Sequence, residues 1–190
     1  MRWLAVLPLL LAMPSFAPSA LAQKGFPATT VIVGGHPMAS DRDLLDNLAL
    51  SADHHVLLDL LDTAGMLERL RGRGPFTLFA PTDAAFAALP RGELDRLRQP
   101  ESRTALRELL ALHIVPSNYS SKRLTLALRS NKGGGELETL DGVKLVLSTN
   151  GPSNMTLRDP KGGIADIVLY DAKQANGVLF VIDRVLHPAS

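Results

Sequence analysis

The side chains able to serve as acids, bases or metal ligands include only five histidines, His36, His54, His55, His113 and His187, set among many Ser and Asp residues. A Ser–His–Asp triad is assembled in space, so chance combinations of these residues are no evidence of catalysis. Motifs that carry a mechanism in their spacing are missing. The chain has no G-x-S-x-G, no H-E-x-x-H and no glycine-rich loop followed by Lys and Ser or Thr. Lys132-Gly133-Gly134-Gly135 has its lysine on the wrong side for a phosphate loop and reads as a surface loop. With no cysteine, the chain has no thiolate nucleophile, no disulfide and no cysteine-ligated zinc. One metal pattern exists: His55 and Asp59 lie one helical turn apart, with Asp62 on the same polar face. A solvated His–Asp pair worth about 0.3–0.5 kcal/mol has the same spacing and is the expected reading. No cofactor, metal or catalytic residue is assigned.

The elements that would position these residues divide the chain in two. Ser40 or Asp41 can cap a short helix carrying Leu44, Leu45 and Leu48, and Ser51 or Asp53 a second one starting near His54. His54, Leu57, Leu58 and Leu61 share one face of that helix. The run Phe76-Thr77-Leu78-Phe79-Ala80, bounded by Pro75 and Pro81, reads as a buried strand. Thr82 or Asp83 then caps the next helix, and Leu106, Leu109, Leu110 and His113 line the apolar side of a longer one. From Ile114 onward strands are expected, with Asp141-Gly142 as a hairpin turn and Asn176-Gly177 before a last strand. The fold class is α+β in one domain.

Residues 1–22 are expected to be a signal peptide: Arg2, an apolar run over 3–13, three prolines, and a small-x-small site at Ala20-Leu21-Ala22. The apolar run is shorter than the roughly 20 residues that cross a bilayer. Residues 23–39 then form an N-terminal arm whose segment 29–33 could add an edge strand, and 40–188 the folded domain. Removing the leader takes away Arg2 and leaves 19 basic and 19 acidic groups. Neither nucleic-acid binding nor a transmembrane or lipid anchor is expected of such a chain, and a periplasmic or extracellular monomer is.

Two segments carry more than a pattern. Phe76-Thr77-Leu78-Phe79-Ala80-Pro81-Thr82-Asp83-Ala84-Ala85-Phe86 resembles the first signature of fasciclin-like domains. Asn176-Gly177-Val178-Leu179-Phe180-Val181-Ile182-Asp183-Arg184-Val185-Leu186, about 100 residues later, resembles the second. The likeness spans residues 33–188 and is to the secreted bacterial single-domain members. It implies a compact wedge or sandwich of about seven strands with several packed α-helices, and a non-enzymatic role in adhesion. The signature residues Phe76, Phe79, Pro81, Thr82, Asp83, Phe86, Asn176, Gly177, Val181 and Asp183 are expected to be structural. Where the family usually carries a Tyr-His pair, this chain reads Leu112-His113, so integrin recognition is not carried over. The expected state of His113 is a buried imidazole bonded to backbone, with a ligand or switch role as the alternative. The candidate contact region is the loops around His113, Pro116 and Tyr119. Its partner is a cell-surface, matrix or envelope protein or polysaccharide. The alternative function is a periplasmic small-ligand carrier or accessory protein, and a hydrolase relying on His113 comes third.

Overall fold

The computed structural model describes residues 30–130, 135–151 and 154–189. The signal peptide expected at 1–22, the arm segment 23–29 and residues 132–134 of the glycine-rich loop lie outside the described residues. Chain order begins with strands β1 (Ile32–Val33) and β2 (His36–Pro37) and helices α1 (Leu44–Leu48), α2 (His55–Thr63) and α3 (Leu67–Leu70). Strand β3 (Phe76–Pro81) is followed by α4 (Asp83–Ala87), α5 (Glu93–Leu97), a 3-10 turn (Pro100–Ser102), α6 (Arg103–Leu112) and β4 (Ile114–Val115). Helix α7 (Ser121–Ser130) precedes β5 (Gly135–Glu138), β6 (Lys144–Asn150), β7 (Asn154–Arg158), β8 (Ile164–Gln174) and β9 (Gly177–Ile182).

Seven strands form one sheet in the order β4-β3-β9-β8-β7-β6-β5, with β3 and β9 the parallel pair and every other pairing antiparallel. The sheet curls until its ends meet, where Leu140 N–H, just past β5, donates to Ile114 O of β4 at 2.8 Å. The expected fold class holds. The central pair consists of continuous apolar runs because both of its faces are covered. Leu78 and Ala80 of β3, with Leu179 and Val181 of β9, face a core of helical leucines that includes Leu44, Leu48, Leu57, Leu61, Leu106 and Leu110. Phe79, Val178, Phe180 and Ile182 point the other way, into a second core inside the curled sheet with Leu137, Leu145, Leu157 and Ile167. The Phe79 and Phe180 rings stack there with centroids 5.5 Å apart. Strands β5 and β6 alternate buried and exposed positions, as expected where one face meets water.

Local signals were obeyed unevenly. Asp43, rather than Ser40 or Asp41, caps α1 by accepting Asp46 N–H at 2.7 Å. Neither Ser51 nor Asp53 caps α2. Its first amides, His55 and Val56, donate instead to the carboxylate of Asp83 at 3.3 and 2.8 Å. Thr82 alone caps α4, accepting Ala85 N–H at 3.2 Å. Of the segment expected to lengthen the sheet at 29–33, Ile32–Val33 instead pairs with His36–Pro37 in a separate β1–β2 hairpin. The largest departure is α7, in a stretch expected to hold strands. Leu124 and Leu128, one turn apart, face the second core, and the helix lies over β5 and β6.

Candidate interaction surface

The region predicted to make contacts begins where β4 ends, and a buried hydroxyl holds it. Thr77, the second residue of β3 and fully buried, donates from Oγ1 to Ser117 O at 2.6 Å and accepts Tyr119 N–H at 2.9 Å. Those two bonds fix the loop 116–120 against the sheet. A second anchor comes from β8. Asp171 has a left-handed backbone (φ 57°) within the register shift between Leu169 and Ala172, and its carboxylate accepts both the Ser121 amide, at 2.7 Å, and the Ser121 hydroxyl. A carboxylate at the first turn of α7 satisfies free amides and complements the helix dipole. The loop and helix α7 therefore stand on a rigid base.

On that base Pro116 is exposed and Tyr119 half-buried, its ring resting on the second core. The Arg123 guanidinium lies 4.9 Å from the Tyr119 ring centroid and donates to Asn118 O. Arginine over an aromatic face holds both groups in place. Along the outer side of α7, Lys122, Arg123 and Arg129 are exposed together with Leu126, which is 56% accessible, and the helix carries no acidic residue. Pro116, Tyr119 and this helix face form one cationic, partly apolar surface.

His113 is not part of it, which corrects the expectation that grouped it with Pro116 and Tyr119. The ring is only 1% exposed because it follows the last turn of α6 inward. Nδ1 donates to Leu109 O at 2.8 Å, and Nε2 accepts Leu186 N–H at 3.0 Å. Only the neutral ring with its hydrogen on Nδ1 makes both bonds. Burial pushes its pKa down to about 4, outweighing the Leu109 carbonyl and the Asp159 carboxylate, which act the other way. The expected buried, backbone-bonded imidazole is what the fold contains.

The other candidate chemistry disperses. His55 Nδ1 lies 3.3 Å from Asp83, while Asp59 pairs with Arg98 at 3.0 Å, so the helical His–Asp pair is divided between other partners. Among the described residues no group of three metal-ligating side chains is assembled. Ser51 Oγ and His54 Nδ1 are 2.8 Å apart, a nucleophile–base distance, yet both residues are about 1% exposed. The left-handed turn of Gly34 lies against Ser51, where a Cβ would meet its Oγ at 2.1 Å. Burial also lowers the pKa of His54, whose Nε2 points toward the Ala80 backbone without a hydrogen bond of good geometry. That pair is sealed from any substrate.

The remaining signature residues hold the fold. Asn176 accepts Leu44 N–H at 2.9 Å and donates to Leu70 O and Gly72 O at 2.7 and 3.3 Å, joining the start of β9 to α1 and α3. Asp183 accepts Asp166 N–H at 2.7 Å, continuing the β8 pairing past the end of β9. Phe86 and Val181 are buried, Pro81 closes β3, and Phe76 is only partly covered.

The comparisons with known proteins follow the same architecture. The family model described as the Fasciclin domain matches residues 52–188. The chain belongs to the Fasciclin domain family. Two bacterial relatives match it over almost their whole length. Protein sll1483 of Synechocystis is 29% identical over 94% of this chain and 89% of its own. Immunogenic protein MPB70 of Mycobacterium bovis is 30% identical over 92% of this chain and 81% of its own. Human periostin is 36% identical over 67% of this chain, which spans 14% of periostin. The fold is similar to a FAS1 domain pair from the insect cell adhesion molecule Fasciclin I, with TM-score 0.65 and 17% identity over 76% of this chain and 50% of that one.

Within this Fasciclin domain, sequence reasoning passed over Thr77 and Asp171 as anchors of the loop. The available signal was a lone hydroxyl inside an apolar strand, where a polar side chain must find partners. Thr77→Val keeps the shape and strands Ser117 O and Tyr119 N–H. Stability is expected to fall by about 1–3 kcal/mol with the fold intact. Urea unfolding measures the loss, and faster amide exchange at Ser117 and Tyr119 locates it. An unchanged midpoint with unchanged exchange would remove Thr77 from this role.

Proposed function

We propose that this Fasciclin domain is a secreted, non-enzymatic adhesion module that docks a cell-surface, matrix or envelope partner on the loop 116–120 and the outer face of α7. The observation that carries this reading is the convergence of exposed Pro116 and Arg123 with half-buried Tyr119 on a base fixed by Thr77 and Asp171. A surface held rigid before contact loses less entropy on binding, and Tyr and Arg are the residue types over-represented at binding hot spots. The similar solved structure comes from a cell adhesion molecule, which supports the same reading. The test is binding of folded protein, residues 23–190, to intact cells and to matrix polymers and polysaccharides, with an unfolded control and a salt series. Saturable binding that requires the fold is expected. Pro116→Glu combined with Arg123→Glu is expected to weaken it at least tenfold without changing the unfolding midpoint. Unchanged binding by that variant would move the contact surface elsewhere.

A second reading, a small-ligand carrier, rests on an open groove of about 510 Å³ between the end of α4 and the start of β8. Ala88, Leu89, Pro90 and Ile164 give it apolar walls, with Asp183 and Arg184 at its edge. Its size and mixed lining fall within the range of ligand sites. Native mass spectrometry of protein purified under mild conditions decides it: a stoichiometric bound mass supports the carrier, and bare protein discards it.

A further inference from the structure

The chain after β9 is held by an unusual pair of bonds. Leu186 N–H donates to His113 Nε2 at 3.0 Å, and the next amide, His187 N–H, donates to Asp159 Oδ2 at 2.9 Å. Two consecutive backbone amides thus end on two titratable side chains from distant elements, the C-terminal end of α6 and the turn after β7. His113 can accept only while neutral, because an imidazolium carries hydrogen on both nitrogens. Asp159 accepts through both side-chain oxygens, the other one taking Gly163 N–H at 2.7 Å. A proton on His113 turns an acceptor into a donor aimed at Leu186 N–H.

We propose that residues 184–189 form an acid-released strap, latched at neutral pH by His113 and Asp159 and freed when His113 takes up a proton. The strap lies beyond β9, outside the sheet ladder, and such segments open locally at lower cost than core strands. Val185 and Leu186 are the buried side chains of the strap itself and line the groove described above, so release uncovers apolar surface continuous with that groove. Opening also brings the ring into water, where its ordinary affinity for protons returns. That difference drives the release, in the same direction as the depressed pKa of the closed ring.

The surrounding charges leave His113 as the trigger. Asp159 favours its imidazolium and His187 opposes it, and desolvation outweighs both. Along one side of the strap stand Glu93, Arg96, Glu108 and Lys161. On the other are Asp183 and the strap's own Arg184, and Asp141 lies near Pro188. Arg96 already engages Glu93 at 2.7 Å, which holds that carboxyl below its usual range. None of these groups is hydrogen-bonded to Leu186 N–H.

The experiment is residue-resolved amide exchange of the folded protein by NMR from pH 7.5 to 4.5, corrected for intrinsic exchange rates. The His113 ring resonances are followed in the same samples. Protection of Leu186 and His187 is expected to fall at least tenfold, while Leu179 and Val181 in β9 keep theirs. The fall should continue toward the pH at which the ring titrates. In His113→Gln, whose side-chain oxygen accepts a bond without titrating, strap protection is expected to stay level. Three results would overturn the latch: constant protection at Leu186, loss shared equally by β9, or an unaltered pH profile in a folded His113→Gln. Should that variant not fold, the wild-type comparison of strap, sheet and ring decides alone.

Discussion

Gly177→Ala is expected to abolish stable folding or to remove about 4 kcal/mol or more of stability, placing it among the severest single substitutions. Gly177 opens β9 opposite Phe76 in the parallel pairing with β3. A Cβ there would lie 2.1 Å from Phe76 O and 2.9 Å from its carbonyl carbon, with Leu44 Cδ1 at 3.1 Å. The clash is with backbone, and that backbone cannot yield. Phe76 N–H donates to Asn176 O at 3.0 Å, while the Asn176 side chain is tied to Leu44, Leu70 and Gly72. Relief would separate the two central strands that divide both cores. A domain of ordinary stability, about 5–15 kcal/mol, does not tolerate that readily. Gly142→Ala is the control: its site is open but left-handed, at φ 78°, so the cost is about 1–2 kcal/mol. Urea unfolding of both variants measures the contrast. Equal midpoints would mean that β3 and β9 can shift apart more easily than their hydrogen bonds imply.

Acid should weaken the domain well before general carboxylate protonation. His113 is neutral in the fold with a pKa of about 4, whereas in the unfolded chain it titrates near its ordinary 6.5. The unfolded state therefore binds the proton first as the pH falls. The contribution is fully present above pH 6.5 and is lost progressively down to about pH 4. The interval corresponds to about 3 kcal/mol. His54, also shifted downward by burial, adds in the same direction. Unfolding free energies from urea titrations between pH 7 and pH 4 are expected to decline more steeply in the wild type than in His113→Gln. Equal slopes would show that the ring reaches water and proton without unfolding cost. This loss concerns the whole domain, while the strap opens within the folded state, and the two are separated by whether β9 amides lose protection.

Much of the frame was legible because its causes are local. The runs over Phe76–Pro81 and Gly177–Ile182 are too apolar and too short for surface helices, and both became central strands. Asp141-Gly142 lies at a hairpin turn as expected, but the loop has three residues, Leu140 to Gly142, with only Gly142 left-handed, where two were expected. Thr82 capped the helix that follows it. Helix α7 escaped notice because its apolar face is narrow, Leu124 and Leu128, and its cap comes from Asp171, some fifty residues further along the chain. Within the candidate surface, Pro116 and Tyr119 were readable as loop residues, but the inward turn of His113 was not.

By itself the sequence determined the class of the fold, the two strands at its centre, the family to which the chain belongs and the absence of cysteine chemistry. These follow from neighbouring residues, through side-chain periodicity, turn preferences and composition, which need no partner from elsewhere in the chain. Only the tertiary structure decided which side chains meet across the fold. Asp83 caps a helix that precedes it in the chain, Asn176 joins three segments, Thr77 fixes the contact loop, and His113 with Asp159 holds the C-terminal strap. Apart from Asp83, which is partly exposed, each is a buried polar group far in sequence from its partner. Burial obliges it to be bonded, and the route of the backbone alone settles to what.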